Sequence, residues 1–362
     1  MSEKLKVGIL GATGMVGQRF VTLLENHPWF EVVKLAASAH SAGKTYEEAV
    51  GPRWKMETPM PEYVKGMTVH DVADVAGMAD GVDFVFSAVN MSKDEIRAIE
   101  EEYAKTETPV VSNNSAHRWT PDVPMVVPEI NPEHFAVIEH QRKRLGTTRG
   151  FIAVKPNCSI QAYTPALAAW KEFEPREVVV STYQAISGAG KTFKTWPEMV
   201  DNVIPYIGGE DEKSENEPLK LWGHVEDGKI VNAALPVISA QCLRVACSDG
   251  HMAAVSVSFK KKPTIEQIKE RWANYETEAQ RLELPSAPKP FLQYFEDPSR
   301  PQTRLDRDFQ NGFGVSIGRL REDKLFDYRF VCLSHNTVRG AAGGGILTAE
   351  LLCRKGYIPH RV

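Results

Sequence analysis

Short apolar runs alternate with amphipathic stretches through the first part of the chain. Residues 6–10, Lys6-Val7-Gly8-Ile9-Leu10, have the look of a buried strand. A glycine-rich stretch, residues 11–17, follows. The next segment, to about residue 26, is amphipathic with Phe20, Val21, Leu23 and Leu24 on its apolar side. Further strands are predicted at 31–37, 83–89, 108–112 and 151–154. Ser92-Lys93-Asp94-Glu95 has capping-box spacing and opens a helix. Pro128-Glu129-Ile130-Asn131-Pro132 breaks the chain before a helix to about residue 144. Strand and helix in alternation predict an α/β domain with a mostly parallel, doubly wound sheet.

Beyond residue 157 the pattern changes. A helix is predicted over 159–170 from the spacing of Ile160, Tyr163, Leu167 and Trp170. Residues 177–184 are β-rich and end in a polar turn, Ser187-Gly188-Ala189-Gly190. The charged segment 208–220 reads as an exposed loop or as an insertion lining a cleft. Strands at 230–246 and 251–259 flank Ser248-Asp249-Gly250, a hairpin signal. A two-residue turn would put Arg244 and His251 on one face, and a three-residue turn on opposite faces. Thr264 caps a helix with Ile265, Ile268 and Trp272 on one side. Strands at 313–317 and 326–333 return to the sheet, and a last helix runs over 336–356. Its glycines, Gly340 and Gly343 to Gly345, are poor helix formers and signal close backbone approach or tight packing. The second domain therefore reads as α+β with a mixed or antiparallel sheet. The expected division is 1–157, completed by the closing helix 336–362, and 158–335.

Composition narrows the classes. With 362 residues, 42% hydrophobic and 25% charged, the chain has room for two cored domains. A net charge of −4, with no basic block, gives no reason to expect nucleic acid. No apolar stretch approaches membrane-spanning length. Five cysteines without a CxxC, and scattered histidines, argue against a disulfide framework and a metal site. A cytoplasmic protein is expected, since the N-terminus carries no signal-peptide pattern.

The strand-turn-helix at the start is the opening of a Rossmann-like dinucleotide fold. Gly11, Thr13, Gly14, Met15 and Val16 form the turn where a pyrophosphate would meet a helix N-terminus. Its GxxGxxG spacing departs from the commoner GxGxxG, and a plain tight turn has the same look. The second strand ends Ala37-Ser38-Ala39-His40-Ser41 with no acid to bind ribose hydroxyls. Ser38 and Ser41 suit a 2′-phosphate, which favours NADP over NAD. Ser87 ends another strand and is small enough to let a cofactor pass.

Cys158 lies where a strand hands over to a helix. Unpaired N–H groups there would lower its pKa and favour thiolate, whereas a structural cysteine would simply pack under the sheet. Arg118, at the end of a strand, could clamp an anion or be a solvated arginine. His251 alone is as compatible with a structural role. A thiol, a histidine, several arginines and a dinucleotide site together point to acyl transfer coupled to hydride transfer.

Several long motifs carry a resemblance over essentially the whole chain: GATGMVGQRF (11–20), SNNSAHR (112–118), KPNCSIQ (155–161), TYQAISGAG (182–190), EPLK (217–220), LRVACSDGHMAAVSVSF (243–259) and NTVRGAAGG (336–344). The chain resembles the aspartate-semialdehyde dehydrogenases, most closely their fungal-type branch. The resemblance implies Cys158 as nucleophile and His251 as acid–base catalyst. It implies Gln184, Glu217 and Arg244 around the substrate, and Arg118, Asn157 and Lys220 around phosphate. Ser187, Gly188 and Asn336 join Thr13 to Val16 as cofactor contacts. The implied reaction is reversible, NADP-dependent reductive dephosphorylation of L-4-aspartyl phosphate to L-aspartate 4-semialdehyde, on the route to lysine, threonine and methionine. The family also implies a homodimer or homotetramer. Two other functions fit the same scaffold: an acyl-thioester reductase of the malonyl-CoA type, and a non-catalytic dinucleotide-binding regulator.

Overall fold

The structure is a computed structural model that describes residues 3–359. Residues 1–2 of the expected first domain and 360–362 of the expected closing helix lie outside the described residues. The first sheet has six strands: β1 (Leu5–Leu10), β2 (Phe30–Ala37), β3 (Val69–Asp71), β4 (Phe84–Ser87), β5 (Val110–Ser112) and β6 (Ile152–Val154). Their order is β3-β2-β1-β4-β5-β6 and every pairing is parallel. The order reverses between β1 and β4, so a crevice opens there at the carboxyl ends of the strands. The strands are short and apolar because helices cover both faces. Phe20 of the helix Met15–Leu23 stacks on Phe86 of β4 at 4.5 Å between ring centroids. The last helix, Gly343–Arg354, packs Ile346, Leu347, Leu351 and Leu352 into the same core.

The second sheet has seven strands: β7 (Pro175–Gln184), β8 (Val203–Ile204), β11 (Val237–Val245), β12 (His251–Phe259), β13 (Leu292–Phe295), β14 (Val315–Glu322) and β15 (Tyr328–Ser334). A separate two-stranded ribbon is made by β9 (His224–Glu226) and β10 (Lys229–Val231). The order β13-β14-β15-β12-β7-β11-β8 is mixed, as the pattern predicted for this half. Its inner face packs on the helix Ile265–Ala273, whose Trp272 lies 4.6 Å from Trp170 between ring centroids.

Three expectations are corrected. The predicted 230–246 strand is two pieces, β10 and β11, separated by residues 232–236. β11 and β12 do not form a hairpin, because β7 lies between them, parallel to β11 and antiparallel to β12. Residues 246–250 instead cross over the end of β7, where Ile186 N–H donates to the Cys247 carbonyl at 2.9 Å. The helix predicted over 159–170 is a 3₁₀ turn, Ile160–Ala162, followed by a short α-helix, Thr164–Ala168. Pro165 lacks an N–H and starts that helix rather than continuing an earlier one.

Candidate active site

Cys158 sits just past β6, and its position is set by Asn157. The Asn157 Oδ1 accepts from the Ser159 N–H and from its hydroxyl, both at 2.7 Å, which turns the chain immediately after the strand. Cys158 Sγ lies 3.4 Å from His251 Nε2. His251 comes from β12, and its placement follows from sheet register. Arg244 of β11 pairs with Gln184 of β7, and Met252 of β12 pairs with Tyr183. Arg244, Gln184 and His251 therefore form one row at adjacent strand ends and share the buried face. The hairpin geometry is not what unites them.

His251 Nδ1 accepts the Ala185 backbone N–H at 3.0 Å. A backbone N–H can only donate, so Nδ1 is unprotonated and the ring proton lies on Nε2, facing the sulfur. Burial, aided by the Arg244 charge, pushes the imidazole down to about 3, so it is neutral near pH 7. The thiol was expected to be lowered by a helix N-terminus. It is instead raised, because burial and the Glu210 carboxylate outweigh the attraction of Lys155, Arg118 and Arg244. The 3₁₀ turn after Cys158 has no long helix behind it to supply the expected field.

Beyond Gly209 the charged segment 208–220 is not a loop, and of the two expectations the lining of a cleft fits it better, although Glu212 and Asn216 stay exposed. It forms the helix Glu210–Leu221, with Glu210, Ser214, Glu217 and Lys220 buried along one face. The acidic pattern read as solvated because the partners of these residues lie far away in sequence. Glu217 accepts from Arg118 Nη1 at 2.9 Å and from the Asn157 N–H at 2.6 Å. Lys220, 2% exposed, spends its ammonium on the carbonyls of Arg118, Thr120 and Val123. Burial brings its pKa down to about 8. Glu210 takes both contacts of the Asn157 amide at 3.0 Å and the Gln184 amide at 3.1 Å. Burial would raise its carboxyl, but Lys213 at 2.7 Å and these amides hold it below the usual range. The sequence motif E-x-x-K occurs twice in this helix. Its second copy, Glu217 and Lys220, is spent internally. The first, Glu210 and Lys213, borders Cys158, Gln184 and Arg244, and the Lys213 side chain remains 31% exposed.

Arg244 donates to the Ala185 carbonyl at 2.7 Å. Among the described residues it has no ion-pair partner, which leaves a buried guanidinium suited to a small carboxylate. Arg118, expected to be free for an anion, is held by Glu217 and by the Lys155 and Asn113 carbonyls.

A cavity of about 330 Å³ opens at the reversal point of the first sheet, lined by Gly11, Thr13, Gly14, Ser38, Arg53 and Lys55 among others. Gly11 has φ +80°, and a Cβ there would come 2.3 Å from the Ala88 carbonyl. Arg53 and Lys55 were not expected from sequence. Arg53 donates to the Ala49 carbonyl and Lys55 to the Gly190 carbonyl at 2.6 Å, and with no carboxylate hydrogen-bonded to either among the described residues the cavity presents positive charge. These features fit a phosphorylated dinucleotide. Met15, Ser187 and Lys191 line an adjoining cavity of about 230 Å³. Asn336 donates to the Ser187 hydroxyl at 2.9 Å and accepts the Gly250 N–H. A Cβ on Gly188 would lie 2.9 Å from Arg244 Nη1 and 3.1 Å from His251 Nε2. Ser41 and Ser87 are buried, and the Ser87 hydroxyl is taken by Asn114. Val16 lies in the first turn of the helix after the glycine loop.

Family models match both halves: the semialdehyde dehydrogenase NAD binding domain over residues 6–138, and the semialdehyde dehydrogenase dimerisation domain over 166–339. The aspartate-semialdehyde dehydrogenase of Aspergillus fumigatus is 45% identical over 98% of this chain and 99% of its own. The enzyme of that name from Methanothermobacter thermautotrophicus is 44% identical over 96% of this chain and 99% of its own. The chain belongs to the aspartate-semialdehyde dehydrogenase family. A Candida albicans aspartate-semialdehyde dehydrogenase, solved with NADP, superposes with a TM-score of 0.88 at 39% identity, over 98% of this chain and 100% of that one. As a member of this family the protein is an oxidoreductase. Among the described residues no cluster of metal ligands and no membrane-spanning helix is found.

Proposed function

We propose that this enzyme catalyses the reversible, NADP-dependent reductive dephosphorylation of L-4-aspartyl phosphate to L-aspartate 4-semialdehyde, in the branch leading to lysine, threonine and methionine. The observation that carries the reading is Cys158 Sγ set 3.4 Å from His251 Nε2, beside an unpaired buried Arg244 and next to the dinucleotide cavity.

Arg244 would take the substrate α-carboxylate through its planar fork. Glu210 would take the ammonium and Lys213 the phosphate, because Glu210 lies against Cys158 and Arg244 and, of the two lysines, Lys213 is the one that reaches solvent. Arg118, Glu217 and Lys220 then hold the Asn157 turn in place. Gln184 orients the acyl group between Arg244 and His251. Cys158 thiolate attacks the acyl carbon, the C–O bond to phosphate breaks with its electron pair, and a thioester remains. When bound, NADPH supplies the hydride that reduces this thioester to the aldehyde level. His251 Nε2–H stabilises the hemithioacetal oxyanion, and sulfur leaves as thiolate as the C=O bond re-forms. Reduction of the thioester to aldehyde and thiolate requires no net proton, so a neutral His251 donor suffices there, while the departing phosphate takes up one proton from solvent to leave as hydrogen phosphate.

NADP use is supported by Ser38, Arg53 and Lys55 at the cavity and by the NADP-bound relative. The five free cysteines fit a reducing cytoplasm. The outer face of the second sheet carries exposed Val179, Tyr183 and Val237, which suits pairing with a second copy.

The deciding experiment is NADP reduction with L-aspartate 4-semialdehyde, with and without inorganic phosphate, for the natural chain and Cys158→Ala. Phosphate-dependent turnover lost in a variant that still binds NADPH is the expected result. Turnover that persists in Cys158→Ala overturns the thioester route. Turnover that ignores phosphate but responds to coenzyme A points to the acyl-CoA reductase instead.

A further inference from the structure

Two carboxylates on the helix Glu210–Leu221 have no task in the reaction above. Asp211 and Glu215 lie one turn apart and flank its buried row, Glu210, Ser214 and Glu217. Both turn to the edge of β11. Asp211 Oδ1 accepts the Cys242 N–H at 2.8 Å, and Glu215 Oε1 accepts the Ala240 N–H at 3.0 Å. β8 pairs with β11 at Arg244 and Val245. Upstream of that point the helix, not a strand, takes the edge.

The fit is metric. Four helical residues advance about 6 Å, and two strand residues advance about 6.6 Å. Carboxylates four apart on the helix therefore meet N–H groups two apart on the strand, and a slip of one residue on either element loses both bonds. Water would satisfy edge N–H groups equally well, so what the carboxylates add is register. The remaining hydrogen bond between this helix and β11 among the described residues is a weak one, Ser214 hydroxyl with Cys242 thiol at 3.4 Å. What the register fixes is the gap between two groups of the site. Asp211 follows Glu210 in the chain. Cys242 lies two residues before Arg244, and both are on the buried face of β11. Gln184 pairs with Arg244 across the strands and donates to Glu210 at 3.1 Å.

We propose that Asp211 and Glu215 are positioning residues: by fixing the register of the acidic helix on β11 they set the spacing between Glu210 and Arg244. That spacing fits the enzyme to a substrate that carries an ammonium and a carboxylate on one carbon. The proposal rests on the reading of Glu210 and Arg244 as the groups that hold those two charges.

The test is steady-state kinetics of the full chain with L-aspartate 4-semialdehyde, phosphate and NADP, beside thermal melts. Asp211→Ala is expected to raise KM for the semialdehyde about tenfold. Its kcat falls less than about threefold, and KM for NADP stays within about twofold of the natural value. Asp211→Asn keeps an oxygen acceptor for the Cys242 N–H and is expected to bring KM back to within about threefold. Loss of folded enzyme by itself lowers kcat and leaves KM where it was, so a natural KM in Asp211→Ala overturns the proposal. A raised KM that Asp211→Asn does not relieve also overturns it. If Asp211→Ala does not fold, Glu215→Ala decides: it frees the Ala240 N–H, and a natural KM there overturns the proposal. Glu210→Gln separates this inference from the reading beneath it. Added to Glu210→Gln, Asp211→Ala should change KM by less than about twofold, because two residues that act through one contact are not additive. A raised KM in Glu210→Gln beside a natural one in Asp211→Ala removes the positioning role and leaves the ammonium reading standing. A natural KM in Glu210→Gln removes that reading, and the positioning role with it.

Discussion

At the scale of single residues, two glutamates one helical face apart have different surroundings. Glu217 neutralises Arg118, which lies 99 residues earlier in the chain, and is fully enclosed. Glu210 is held by two amides and by a lysine that reaches solvent. Glu210→Gln should therefore raise KM for aspartate semialdehyde at least about tenfold, with little change in melting temperature. Glu217→Gln should strand the Arg118 charge and destabilise the fold by about 3–5 kcal/mol. Steady-state kinetics beside thermal melts separate the two. A raised KM with unchanged melting in Glu217→Gln would return the ammonium to that residue.

At the scale of elements, the turn into the last helix does two things. Val338–Ala342 is a π-turn, and Ala341 leaves helical geometry inside it. This lets Gly340 press its backbone against Cys158 while the following helix fills the core of the first sheet. Gly340→Ala puts a methyl 2.8 Å from the Cys158 Cβ, so the sulfur must shift from His251. We expect kcat to fall at least about tenfold, since small misplacements of reacting groups are expensive, with the circular dichroism spectrum and NADPH binding retained. Full activity in that variant would show that the turn yields. The capping boxes that open the helices Lys93–Lys105 and Ile265–Ala273 form as their spacing predicted, because a cap is satisfied within four residues.

At the scale of the whole molecule, the outer face of the second sheet is exposed over β7 and β11 among the described residues, while residues 300–306 cover it at β14. Val179 and Tyr183 point outward from β7, with Leu243 and Met252 beside Tyr183 on the neighbouring strands. Val237 is 63% exposed on β11. If a second copy covers this face, Tyr183→Asp should shift sedimentation from dimer toward monomer, because burying a carboxylate there is unfavourable. An unchanged sedimentation profile would place the subunit contact elsewhere. The row of Arg244, Gln184 and His251 lies on the opposite face of the same strands.

Local chemistry determined a good part of this protein from its sequence alone. The glycine turn after β1, the thiol after β6, the caps and the parallel first sheet all depend on near neighbours or on strict periodicity. Only the tertiary structure decided that β7 separates β11 from β12, and that Arg244 and His251 meet by register. It also decided that an acidic helix is buried, and that the first E-x-x-K pair faces the cleft while the second is spent inside. The reason is the same in each case. Strand order and the burial of charge depend on partners brought from distant parts of the chain, and no local pattern of apolar and polar residues records where those partners will come to lie.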